Sequence, residues 1–82
     1  MKKTELLKRI EINPAILVGK PVIKGTRLSV QYILGLLAQG ADIKEIIDEY
    51  KGLTEEDILA CFLFASEVLE DNTFVPLPKY SA

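Results

Sequence analysis

The sequence contains no histidine, a single cysteine and no long apolar run, and each absence removes a class of function. Without histidine the chain lacks the side chain most often used for proton transfer and metal ligation near neutral pH. Cys61, the one cysteine, has no internal disulfide partner. It sits between Ala60 and Phe62 on an apolar helix face, which reads as a buried thiol rather than a nucleophile. No stretch of about eighteen apolar residues is present to span a membrane. The basic opening Met1-Lys2-Lys3 is not followed by the apolar segment of a signal peptide, so a cytoplasmic protein is expected. Internal repeats and low-complexity segments are also absent.

Two motifs that invite a chemical reading fail on spacing. Glu55-Glu56-Asp57 is acidic enough for a cation, but adjacent helical positions diverge around the helix, and acids in a first turn are favoured by the helix dipole. Gly19-Lys20 and Gly25-Thr26 do not reproduce a phosphate loop, which requires Gly-Lys-Ser/Thr directly ahead of a helix. An enzyme is therefore not expected, nor is any cofactor or metal.

What is present is charge segregation and a surplus of apolar residues. Met1 to Leu28 carry seven basic residues against two acids, a net +5; Ser29 onward carry three against ten, a net −7. An anionic partner would be drawn to the first third alone. The hydrophobic fraction is 49% and the mean hydropathy +0.21. Eighty-two residues support one domain with one small core, so part of this apolar surface is expected to meet a partner.

The spacing places elements as follows. Arg9-Ile10-Glu11-Ile12 alternates like a short strand. Asn13-Pro14 suits the cap and first position of one helical turn through Ile16-Leu17, ended by Gly19. Val22-Ile23 and Thr26-Arg27-Leu28 read as a hairpin folded at Lys24-Gly25. Ser29 caps a helix with Val30, Ile33, Leu34, Leu37 and Ala38 on one face, stopped by Gly40. Asp42 and Glu45 have capping-box spacing for a second helix bearing Ile43, Ile46, Ile47 and Tyr50, stopped by Gly52. Thr54 caps a third, with Leu53 and Ile58 as a hydrophobic staple, running to Glu70 or Asp71. Two prolines make residues 72–82 an extended tail. The expected fold is thus mainly α. A basic strand and hairpin segment (residues 1–28) precedes a three-helix core (29–71), whose last two helices have helix-turn-helix spacing; all belong to a single domain of residues 1–82.

Several of these segments carry a resemblance. Asn13-Pro14-Ala15-Ile16-Leu17, then Gly19-Lys20-Pro21-Val22-Ile23-Lys24-Gly25-Thr26-Arg27-Leu28-Ser29-Val30, and the Leu34…Gly40…Ile46…Tyr50 spacing resemble the bacterial domain-of-unknown-function family 433. The resemblance implies a small trihelical module, homeodomain-like or winged-helix-like, usually dimeric and without catalytic residues. It also implies an antitoxin role, as the partner of a PIN-like ribonuclease toxin.

DNA reading by the third helix is disfavoured by its residues. With Ile58, Phe62, Ala65 and Leu69 placed inward, the outward line is Glu56, Ala60, Leu63 and Glu67, which offers no Arg, Lys, Asn or Gln to base edges. If operator DNA is a partner, the contact falls to Lys20, Lys24 and Arg27 as a wing, with Lys2, Lys3, Lys8 and Arg9 as an arm. The same cations serve equally as solvated surface charges or as a contact for an acidic protein, such as the metal-binding centre implied for a nuclease toxin. Leu59, Leu63 and Phe64 lie off the core stripe, so they are expected at an interface with a second copy of the chain, or under Phe74 and Leu77 of the tail. The function expected is a non-enzymatic, dimeric, antitoxin-like module; a small DNA-binding regulator and a purely structural dimer are the alternatives.

Overall fold

The computed structural model describes residues 2–71, and these form four helices and a two-stranded antiparallel sheet. In chain order they are α1 (Lys3–Leu7), β1 (Ile10–Glu11), β2 (Val22–Ile23), α2 (Val30–Ala38), α3 (Ile43–Glu49) and α4 (Glu55–Asp71). The mainly helical architecture with an N-terminal hairpin follows from the spacing. The tail expected at residues 72–82 lies outside the described residues.

The three longer helices begin where their capping residues stand, and two of them are followed by glycines. The Ser29 hydroxyl accepts from the Tyr32 amide at 2.9 Å. Asp42 accepts from the Glu45 amide at 2.8 Å while Glu45 accepts from the Asp42 amide at 2.9 Å, a reciprocal capping box. Thr54 and Asp57 repeat that exchange at the start of α4, at 3.3 and 3.0 Å. Gly40 and Gly52 take positive φ (107° and 95°) after α2 and α3, a conformation that halts a helix cheaply only with glycine.

The core is one cluster where β2 and the three longer helices meet: Ile23, Val30, Ile33, Ile46, Leu53, Ile58 and Cys61, all buried. Leu34, Leu37, Ile43 and Phe64 pack against it from the side.

Three expectations are corrected. The helical core has a fourth member, α1, laid on α4 and tied there by Lys3 Nζ to Glu67 Oε2 at 3.7 Å. Five residues are too few to show a helical period, and such a short helix is held by tertiary contact rather than by propensity. Second, the strand partner of Val22-Ile23 is Ile10-Glu11, in the register Ile10 with Ile23 and Glu11 with Val22. The Lys24-Gly25 turn does form, with Gly25 at φ 83° and the Thr26 amide donating to Ile23 O at 3.0 Å. Thr26-Arg27-Leu28 is not a strand, because the Thr26 hydroxyl donates to Ile23 O at 2.7 Å and accepts from the Leu28 amide at 3.0 Å. Those bonds close a tight loop that leaves a single bridge, Val22 with Ser29. Third, the turn begun at Asn13 stops at Ile16. Asn13 Oδ1 accepts from the Ala15 amide at 2.9 Å, but Leu17, Val18 and Gly19 then adopt left-handed φ of 49°, 56° and 78°.

Candidate functional site

Two surfaces bear on function, the basic loops and the outer faces of the helices. Lys20, Lys24 and Arg27 are all exposed, and none makes an ion pair among the described residues. Their side chains are free, but their backbone is not. The Lys24 amide donates to Arg9 O at 2.8 Å, the Ile23 amide to Leu28 O at 3.0 Å, and the Lys20 amide to Leu17 O at 3.2 Å. Three cations thus stand on loops stitched to the sheet.

The expected basic arm is partly committed elsewhere. Lys3 pairs with Glu67, and Arg9 Nη1 lies 3.1 Å from Asp57 Oδ1. Asp57 is buried, and its other oxygen accepts from the Thr54 amide. One carboxylate therefore begins α4 and anchors β1 to it. Reading Asp57 only as a first-turn acid misses this, since a pairing across 48 positions leaves no local pattern.

The inner face of α4 is rotated from the expected one. Asp57, Ile58, Ala60 and Cys61 are buried, whereas Phe62 and Leu69, expected inward, are 45% and 66% exposed. The small Ala60 and Cys61 allow neighbouring elements to approach α4 closely, which the bulkier Phe62 would prevent. Of the side chains assigned to an interface, Leu59 is exposed, Leu63 is half-buried, and Phe64 is half-buried against the core. Phe74 and Leu77 lie outside the described residues. Burial, and secondarily the charge of Asp57, push the Cys61 thiol from its ordinary 9.0 up to about 12, so it is held as an unreactive thiol.

Apolar hollows flank α4 on both sides. One, of about 630 Å³, is lined by Leu37, Ile43, Ile47 and Phe62 together with Asp42, Lys44 and Glu55. The other, of about 430 Å³, is lined by Pro21, Val30, Leu34, Phe64, Ala65 and Leu69 among others.

The outer face of α2 carries a different hollow, about 350 Å³ and of mixed polar and apolar lining, which the sequence did not suggest. Lys20, Ser29, Gln31, Tyr32, Gly35, Leu36 and Gln39 line it. Beside it the hydroxyls of Tyr32 and Tyr50 are 2.6 Å apart, with their rings edge to face at 6.2 Å. That hydrogen bond, with some desolvation, raises Tyr50 to about 12. Among the described residues no group of three or more His, Cys, Asp or Glu is placed to hold a metal ion, and no helix is long and apolar enough to cross a membrane.

Residues 10–65 match the family described as protein of unknown function (DUF433). The chain belongs to the DUF433 family. No curated protein matches it. Among solved structures it is similar to a DUF433 member protein from Anabaena variabilis ATCC 29413, determined by crystallography at 2.00 Å, with 33% identity and a TM-score of 0.73. That match takes in 82% of this chain and 66% of the other, so this DUF433 chain spans just under two thirds of its neighbour's length.

Proposed function

We propose that this DUF433 protein is a non-enzymatic, antitoxin-like interaction module that works as a homodimer and neutralises an acidic, PIN-like nuclease. The observation that supports it most is the outer face of α4. Leu59, Phe62 and Leu69 are exposed to 43, 45 and 66% along a helix already flanked by two apolar hollows. Apolar surface of that extent on so small a domain is typical of a protein interface. The second copy is assigned to α4, and the acidic partner to Lys20, Lys24 and Arg27, where the charge is of the right sign.

Co-expression with a neighbouring acidic, nuclease-like protein tests the proposal. A stable complex and relief of growth arrest are expected. A partner that neither co-purifies nor loses its toxicity overturns the antitoxin role.

A second reading, a small regulator that binds operator DNA, is favoured by the unpaired cations on the stitched loops. It requires affinity for duplex DNA that falls steeply with salt. Both roles draw on the same three cations, so an acidic partner and duplex DNA are expected to compete for them.

A further inference from the structure

We propose that the mixed hollow on α2, rather than any face of α4, is where this chain contacts duplex DNA, with Lys20 on a phosphate and Gln31 and Gln39 on base edges. The proposal rests on the DNA-binding reading above and names the surface that reading lacks.

Four observations meet at this hollow. The first is side-chain chemistry. Glutamine pairs its amide with the paired donor and acceptor of adenine in the major groove. The chain has only two glutamines, and both line this one hollow. They stand eight residues apart, Gln31 in the first turn of α2 and Gln39 at its C-cap, about 80° apart around the axis and roughly 12 Å apart along it, a length comparable to the major-groove width of about 12 Å. The second is charge. The hollow is lined by one cation, Lys20, and by no acid, and α2 from Val30 to Ala38 carries no charged side chain at all. Phosphates are therefore attracted at the rim and meet no carboxylate of the lining inside it. An acidic protein would satisfy Lys20 but gives no reason for the two amides.

The third observation is how Lys20 is held. Leu17 and Val18 occupy left-handed backbone, a strained conformation for a branched side chain, although Val18 is 94% exposed and buries nothing in return. That turn ends in the bond from the Lys20 amide to Leu17 O, and the next residue, Pro21, accepts from the Val30 amide at 2.9 Å. Lys20 is thereby pinned beside the first turn of α2. The fourth is Gly35, midway between the two glutamines. A Cβ there would meet nothing within 4 Å, so the fold does not require glycine, yet glycine inside a helix is unfavourable relative to alanine. A position that weakens its own helix without a packing reason fits close approach by something outside the chain.

The test uses the full chain and two short duplexes, one from the DNA immediately upstream of its own coding sequence and one of random sequence. Circular dichroism confirms that the variants are folded, since Gln31, Gln39 and Lys20 are exposed. Gln31→Ala and Gln39→Ala are each expected to weaken binding to the upstream duplex about tenfold, with little change on the random one. Lys20→Ala should weaken both duplexes and reduce the salt slope by about one. Gly35→Ala should melt at a higher temperature and bind the upstream duplex more weakly, a combination a purely structural glycine would not give. If the glutamine and glycine variants bind as the wild type does while Lys24→Ala and Arg27→Ala lose binding, the α2 surface is wrong and the regulator reading stands. If the wild type binds neither duplex, both fall together.

Discussion

Val18 and Cys61 are opposite kinds of residue, one strained and exposed, the other relaxed and sealed. Val18 sits at φ 56° with 94% of its surface in water, so its side chain adds almost nothing to the core. Asparagine tolerates that conformation better than a β-branched residue does. Val18→Asn is therefore expected to raise stability by up to about 1 kcal/mol, read as a higher urea midpoint with an unchanged slope. Cys61 is fully buried, and its thiol is raised from 9.0 to about 12. The thiolate is the reactive form, so a thiol reagent should leave the native protein untouched and label it only on unfolding. The sign for stability follows from the same shift. Below pH 9 the thiol is neutral in both states and contributes no pH dependence. Between about 9 and 12 the unfolded chain ionises and the folded one does not, so this group makes stability fall as pH rises. Urea midpoints across that window, compared with those of Cys61→Ala, measure the difference: the variant should lose less stability as pH rises.

At the scale of elements, the three longer helices were legible from sequence, whereas α1 and the strand pairing were not. Ser29, Asp42 with Glu45, and Thr54 announce three helix starts through local side-chain chemistry, and Gly40 and Gly52 announce two stops. Local signals of this kind act within four residues, so a single sequence displays them. The partner of β2 was not legible: Thr26-Arg27-Leu28 is the expected neighbour of Val22-Ile23, and Ile10-Glu11 is the observed one. The choice was made by the Thr26 hydroxyl closing its own loop. The inner face of α4 was misassigned because the apolar residues run nearly around that helix, and the buried face includes Asp57, which meets Arg9 across 48 positions. The α2 hollow leaves no local pattern in the sequence, since Lys20 meets Gln31 and Gln39 only in the fold. Asp57→Ala removes both the start of α4 and the anchor of β1. It is expected to destabilise the protein by about 2 kcal/mol, most of it from the cap and the stranded guanidinium, measured by urea unfolding. Asp57→Asn, which keeps an accepting oxygen for the Thr54 amide, should lose less.

For the molecule as a whole, the balance between apolar surface and size sets the prediction. A domain of 82 residues leaves a large share of its surface exposed even when well folded. Exposed leucine and phenylalanine along α4 then favour a second copy. The pair Leu59→Glu and Phe62→Glu, both at exposed positions, should leave the helical content intact and convert a dimer to a monomer in sedimentation at micromolar concentration. A wild-type monomer under the same conditions overturns the assignment of α4 to self-association.

The tie between Arg9 and Asp57 also has a consequence during synthesis. Its two ends are separated by 48 positions, so as the chain emerges from the ribosome the guanidinium is exposed long before its carboxylate has been translated. Until α4 clears the exit tunnel, β1 has β2 alone to pair with and α1 lacks the helix it lies against. Stalled nascent chains ending before Asp57 should consequently be cut by protease near their amino ends, while chains long enough to expose the whole of α4 should resist.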